Sequence, residues 1–351
     1  MSKINSTSRR RFCLSLVSLP VLAGCGAGTR PATQPKSQAP SGRVAMLLPL
    51  SGPRAGLGQT MAKSVWLAED LSAALTRAKV FDAGDTTATA AAAASDAVAA
   101  GADVIIGPLF RDQVPSVLEA AGRVPVLTLS NDTALAGQGA WVFGVTPEQS
   151  ARAVLRYAKD AGGGRITMLE TGGALGARAQ AALSAGAEAA RSSILTSVPA
   201  RTTPAEMRVA LRRAAGGTLP DILYVPTAGA PALEQAVAAV GAGVTTIGSL
   251  QWSGLPKVQF KRLDKACFTG PDPQRFDRLS ASFQARLDED MGVIGALAVD
   301  ALAYAQTAGP GLIQRQPVEG LLGATQFRRD RTCARNLSVL RINGGSVVRV
   351  A

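Results

Sequence analysis

Apolar runs alternating with alanine-rich helical stretches predict an α/β protein, doubly wound, in two similar halves. Three observations carry this expectation. The candidate strands are unbroken runs of Val, Ile and Leu, as in parallel sheets buried on both faces. Nearly every run is followed by a segment of helical period. The pattern starts at Arg43 and restarts near Phe143–Pro147. With 351 residues the chain can hold two cores, since a single core stops growing near about 250–300 residues.

The elements of the first half follow in order. Val44–Leu48 is a continuous apolar run stopped by Pro49 and Gly52, and Gln59–Leu75 has helical spacing. Lys79–Phe81 is a short strand and Thr87–Ala100 an alanine-rich helix. Asp103–Ile106, Val114–Ala121 and Pro125–Leu129 then read as strand, helix and strand. In the second half Pro147–Ala161, Gly176–Ala190, Pro204–Ala215 and Ala232–Val240 are helical. Arg165–Leu169, Ile194–Val198, Ile222–Val225 and Val244–Gly248 are strands. The end of the chain differs. Ala266–Thr269 reads as a strand, and Pro273–Leu287 and Gly292–Ala308 as helices that each carry a polar face. Leu337–Ile342 and Ser346–Val350 flank Asn343-Gly344-Gly345, a hairpin signal.

The first 24 residues read as an export signal. Lys3, Arg9, Arg10 and Arg11 precede an apolar run, Phe12–Ala23, of 12 residues. A bilayer-spanning helix needs about 20, so the run fits a signal segment. Leu22-Ala23-Gly24-Cys25 resembles the bacterial lipoprotein box. That implies cleavage before Cys25 and acylation of its thiol. Ser8–Leu14, with its paired arginines, also resembles a twin-arginine export motif, so either export route is open. Residues 25–42 form a tether rich in Pro, Gly, Ser and Thr, with no means of packing a core and a reach of roughly 50 Å. Gly26 stands where lipoproteins retained at the inner membrane usually carry Asp, which points to the outer membrane.

Composition excludes several chemistries. The chain has no histidine, which removes His-based triads, His general bases and the usual zinc sites. The formal charge is +12, which serves either solubility or attraction to anionic partners such as membrane surfaces. Aromatic residues are 4% of the chain, so a pocket has few rings to use. The loop after the first strand, Pro49–Thr60, is glycine-rich but is not a phosphate loop. Five residues separate Gly52 from Gly58 where that motif has four, and Gln59 stands in place of its lysine. No carboxylate pair can be assigned to a cleft, and no enzyme activity, metal or cofactor is expected. Arg328, Arg329, Arg331 and Arg335 cluster near the end, as a solvated loop or as a dock for an acidic partner. Cys267 and Cys333 are an even pair outside the signal segment, either bonded or buried as free thiols.

Four segments carry a family resemblance. Val44–Gly52 (VAMLLPLSG), Val80–Asp85 (VFDAGD), Ala102–Arg111 (ADVIIGPLFR) and Val124–Thr133 (VPVLTLSNDT) resemble the type-1 periplasmic-binding-protein fold. The wording GPLF and SND is similar to that of the penicillin-binding-protein activator group. Trp141–Pro147 (WVFGVTP) matches the family's crossing into its second lobe. The resemblance implies two doubly wound, Rossmann-like lobes joined by three crossings around a central cleft. Lobe one would hold 43–145 plus 273–322, and lobe two 146–272 plus 323–351. Cys267 and Cys333 would then share lobe two, which favours a disulfide between them.

The resemblance also places ligand contacts at the cleft. The polar candidates there are Ser51, Gly52, Arg111, Ser130, Asn131, Thr133, Thr227 and Gln251. Amino-acid-binding relatives place a hydroxyl residue after the Gly-Pro that ends the third strand; here Leu109, Phe110 and Arg111 follow Gly107-Pro108. The aromatic that relatives offer before a second-lobe helix is missing at Ala174-Leu175-Gly176. Two functions stay open. One is a lipid-anchored regulator that binds a cell-wall synthase of the penicillin-binding-protein class. The other is the solute-binding component of an importer, working with a membrane permease and holding a small, amino-acid-like molecule. Activators of the first kind can carry an extra N-terminal helical-repeat domain, for which residues 26–41 leave no room. No nucleic-acid partner is expected.

Overall fold

The computed structural model of the chain describes residues 43–350, apart from 171 and 228–231. The expected signal segment 1–24, the tether 25–42 and Cys25 lie outside the described residues. The described part is an α/β fold built on two sheets of largely parallel strands.

The first sheet has the order β2-β1-β3-β4-β5, all parallel. Its strands are β1 (Val44–Leu48), β2 (Lys79–Asp82), β3 (Val104–Ile106), β4 (Val126–Thr128) and β5 (Trp141–Val142). Helices α1 (Ala55–Leu71), α2 (Thr87–Ala99) and α3 (Val114–Ala121) connect the first four. Alternation along β1 sorts its two faces. Val44, Met46 and Leu48 join the core beneath α1, while Ala45 and Leu47 face the alanines of α2. Because that second face is lined by Ala90, Ala93, Ala94 and Ala97, α2 lies close on the sheet. Gly58, in the first turn of α1, sits directly on the end of β1. A Cβ there would lie 2.1 Å from the Pro49 carbonyl oxygen.

The second sheet is assembled from β6 (Gly164–Glu170), β7 (Ser192–Ile194), β9 (Ile222–Val225), β10 (Thr245–Gly248) and β11 (Cys267–Gly270), with the two-residue β8 (Val198–Pro199) beside β6. Helices α4 (Pro147–Asp160) and α5 (Gly173–Gly186) cover one face. Helices α6 (Pro204–Ala214), α7 (Ala232–Val240) and α8 (Lys257–Arg262) belong to the other. Where one strand was expected at Ile194–Val198, two short ones form. The Leu195 N–H still pairs with the Ile166 carbonyl at 2.8 Å before the chain breaks from the ladder.

After β11 the chain returns to the first sheet through α9 (Pro273–Leu287) and α10 (Gly292–Ala308). A small antiparallel ribbon follows, β12 (Thr325–Phe327) with β13 (Cys333–Arg335). Then β14 (Ser338–Asn343) pairs antiparallel to β11, and the expected hairpin closes with β15 (Ser346–Arg349).

Two expectations need correction. The first concerns α10, which has no polar face: it is buried along most of Gly295–Gln306 between α1 and the first sheet. Its polar residues are satisfied inside. Gln306 exchanges two hydrogen bonds with the Thr76 backbone at 2.6 and 3.0 Å. Asp300 accepts from the Leu321 and Leu322 amides at 2.7 and 2.8 Å, pinning the returning chain. The second concerns the cysteines. Cys267 and Cys333 are free, buried thiols, not a disulfide. Cys333 belongs to the first sheet's core, because the ribbon packs there through Phe327 against Trp141, Phe143 and Tyr304. Cys267 belongs to the core between the second sheet and α4. Among the described residues no single helix is long and apolar enough to cross a membrane.

Two stability predictions follow from this packing. Gly58→Ala should cost about 1–3 kcal/mol, since the backbone of Pro49 must move; urea unfolding checks it. The second concerns pH. Burial pushes the Asp300 carboxyl up to about 6, against the lowering effect of the two amides and of Arg335. An acid whose folded pKa is raised contributes stability below its unfolded value and loses it as pH rises through the folded one. This group should therefore contribute a loss of roughly 3 kcal/mol between about pH 4 and 6. Asp300→Asn cannot ionise, so the difference in unfolding free energy between wild type and variant should change by that amount over the interval.

Candidate ligand cleft

The carboxyl ends of the parallel strands face a shared cleft, the usual place for ligands in open α/β sheets. A cavity of about 690 Å³ lies there. Leu109 and Phe110 reach it from the loop after β3, and Leu129 and Asn131 from the loop after β4. Tyr224 and Pro226 enter from the end of β9, and Ser249 to Gln251 with Ser253 to Leu255 from the loop after β10. The starts of α4 and α10 close it with Pro147, Ser150, Met291 and Ile294.

Most of its hydroxyls are already used. The Thr60 hydroxyl donates to the Gly56 carbonyl at 3.0 Å, and that of Ser249 to the Pro226 carbonyl at 2.6 Å. The Ser253 hydroxyl donates to the Leu250 carbonyl at 2.8 Å. Among the described residues lining the cavity, Asp290 carries the one charged side chain, and it accepts from the Gly292 amide at 3.0 Å. Tyr224 is the exception. Its ring is fully buried and its hydroxyl has no hydrogen-bond partner. Burial, with the Glu148 carboxylate nearby, pushes the phenol well above its ordinary range, so it stays neutral. Its O–H is thus a donor left without an acceptor inside the fold.

The eight sequence candidates divide. Asn131 and Gln251 line the cavity. The Gln251 backbone N–H also bonds the Ser249 hydroxyl at 3.2 Å. Ser51 and Gly52 instead build the turn after β1. The Leu50 and Ser51 amides donate to Asp82 at 2.9 and 3.2 Å, and Gly52 takes a φ of +87° against Asp85. Backbone amides and the Ser51 hydroxyl lower the Asp82 pKa against the opposing effect of burial, the largest single influence on it. Ser130 is buried, and its hydroxyl accepts from the Asp132 amide at 3.3 Å. The Thr227 carbonyl accepts from the Trp252 indole at 3.0 Å.

Arg111 and Thr133 belong to a different device, an ionic clasp at the rim. The buried carboxylate of Asp132 is its centre. Arg111 Nε lies 2.8 Å from one oxygen, and Arg178, reaching from α5, pairs with the other. Arg178 also lies 3.6 Å from Glu148 on α4, and the Thr133 hydroxyl donates to Glu148 at 3.0 Å. The clasp thus ties the loop after β4 to two helices of the second sheet. Tyr224, Ser150, Asp132 and Arg178 were not among the expected site residues. For Tyr224 the signal was faint: it is one of three tyrosines in the chain but lies inside an apolar strand. For Arg178 none did, because its partners lie 30 and 46 positions away.

Among the described residues no cluster of three metal-ligating side chains forms. No curated protein matches the chain by sequence. Solved structures share its fold. The C-domain of LpoA from Haemophilus influenzae, a regulator of PBP1A, aligns over 88% of this chain and 100% of its own, with TM-score 0.67 and 17% identity. A putative branched-chain amino acid ABC transporter protein from Rhodospirillum rubrum aligns over 88% and 99%, with TM-score 0.74 and 15% identity. The leucine binding protein LivK from Thermotoga maritima aligns over 88% and 97%, with TM-score 0.63 and 14% identity. The family profile described as periplasmic binding protein matches residues 42–346, and with two doubly wound sheets around a cleft behind that match, this chain belongs to the periplasmic binding protein family.

Proposed function

We propose that this protein is a periplasmic lipoprotein, anchored through Cys25 to the outer membrane, that regulates a cell-wall synthase of the penicillin-binding-protein class by binding it. Its role on this reading is binding, not catalysis. Its lobes comprise 43–145 plus 273–335, with the ribbon on the first sheet, and 146–272 plus 336–351, and they act as one body. The observation that carries the reading is the clasp. A transport receptor must open and close around its cargo, whereas here an ion pair from Arg178 to the buried carboxylate of Asp132 ties the two sides together and resists opening. The cavity supports it as well. A zwitterionic amino acid needs fixed partners for both of its charges. Leu109 and Phe110 occupy the first loop, and the lining hydroxyls are largely engaged. The LpoA C-domain, a regulator of PBP1A, is a protein of this fold, and we extend its kind of partner to this chain.

A second reading, the solute-binding component of an importer, is favoured by one observation. Tyr224 lines the cavity and its buried hydroxyl has no partner, which a cargo that reached it would supply.

Retention of the source organism's penicillin-binding proteins on the immobilised full chain tests the first reading. One of them should be retained, and retention of none would sink it. A thermal-shift series with leucine, isoleucine and benzoate tests the second, because a saturating ligand raises apparent stability. The regulator reading expects no shift. A shift that Tyr224→Phe abolishes would favour the importer. The clasp makes its own prediction. Arg178→Ala leaves a buried carboxylate with Arg111 alone and should cost about 1–3 kcal/mol. It should also enlarge the radius of gyration seen by small-angle scattering; an unchanged profile would mean the clasp does not hold the cleft.

A further inference from the structure

The arginines near the end of the chain fall into place once the ribbon is placed beside α4. Gln149 on α4 donates to the Cys333 carbonyl at 2.8 Å, and Arg156, two turns on, reaches the Leu337 carbonyl and Asn336. Residues at i, i+3 and i+7 share one helix face. Arg152 therefore lies between these two contacts, over β13. Across the ribbon Phe327 pairs with Cys333, and the Arg328 amide bonds the Thr332 carbonyl at 2.9 Å. That register brings Arg328 to the same side. Burial and the neighbouring charges of Arg328 and Arg156 lower the Arg152 pKa, against the raising effect of Glu148. Arg331 is turned elsewhere, to the Gly139 carbonyl at 2.6 Å and the Trp141 ring.

The acids nearby act on these arginines through space but form no ion pair with them. Glu148 is engaged by Arg178 and Thr133. Asp330 accepts from the Thr332 amide and hydroxyl at 2.9 and 2.6 Å. Asp160 acts on Arg156 only at a distance. Among the described residues, no carboxylate lies within ion-pair distance of Arg152, Arg156, Arg328, Arg329 or Arg331. Elsewhere on the molecule arginines such as Arg54, Arg262, Arg286 and Arg349 have found one. Like charges held together without a counter-charge cost energy in the free protein, and an anionic partner recovers it.

We propose that Arg152, Arg156 and Arg328 form a docking face for an acidic segment of a partner protein. The shape selects a peptide over a membrane. Arg152 is half-buried between α4 and the ribbon, where a protruding carboxylate can enter and a flat bilayer cannot. The planar guanidinium also matches a carboxylate fork. The inference deepens the regulator reading and rests on it for the partner's identity.

The test uses a hexaglutamate peptide against the purified full chain at physiological salt. Arg152→Gln/Arg328→Gln should weaken binding by about tenfold. Arg212→Gln/Arg213→Gln, which removes an exposed pair on α6, should leave it within twofold. Equal weakening by both pairs would mean that only overall charge matters and would overturn the proposal. So would binding to phosphatidylglycerol vesicles through Arg152 and Arg328 without binding to the peptide. Arg328→Gln alone, on an exposed loop, serves if the double variant fails to fold. Retention of a synthase is scored separately. Peptide binding through these arginines with no synthase retained keeps the face and removes the regulator reading. A synthase retained equally by wild type and double variant keeps that reading and removes the face.

Discussion

The constraint behind this molecule is that a parallel sheet must be covered on both faces. A parallel ladder forces each connection to cross a face, and the crossing helix supplies the cover. With both faces closed, only the strand ends remain for function. The chain builds two such sheets and sets their carboxyl ends on one cavity. Small residues make the first sheet's cover possible: the alanines of α2 on one side, and Gly58 and Gly295 where α1 meets β1 and α10.

Much of this is legible in the sequence because local pattern and tertiary role agree. Val44–Leu48, Val114–Ala121, Ile222–Val225 and Ala232–Val240 fall where their apolar runs and helical spacing put them. The disagreements share a cause, which is contact between distant segments. The ribbon of Thr325–Phe327 and Cys333–Arg335 has strands of three residues and gains its stability from an aromatic cluster with Trp141, Phe143 and Tyr304. Once the ribbon sits on the first sheet, Cys333 is carried into that sheet's core, away from Cys267. Asp300 and Gln306 give α10 a polar pattern, yet both are spent on backbone groups of segments that pass it. A polar residue marks a solvent face only when no passing chain needs it.

The same limit governs the cleft. Loop residues with hydroxyl or amide groups are sound candidates for a ligand and equally sound candidates for a turn. Ser51 and Ser130 went to the turn; Asn131 and Gln251 line the cavity. Arg111 and Thr133 went to an ion cluster whose centre, Asp132, looked locally like a helix cap, and it is one as well. Its carboxylate accepts from the Ala134 amide at 3.0 Å while it holds two arginines. Tyr224 is hidden for the opposite reason. In sequence it is one more apolar strand residue, and its significance lies in a hydroxyl that the surrounding core fails to satisfy.

Charge finally separates the two sides of the molecule. Inside the cleft the charged groups answer one another, carboxylate to guanidinium, or are turned back on the backbone, as Asp290 is. Behind it, along α4 and the ribbon, Arg152, Arg156 and Arg328 stand together without an ion-paired carboxylate. A receptor that works by engulfing a small charged solute would place its unanswered charge in the cleft and neutralise its exterior. Here the distribution is reversed. On the regulator reading proposed above, that is the electrostatic pattern of a scaffold whose cleft serves as a joint.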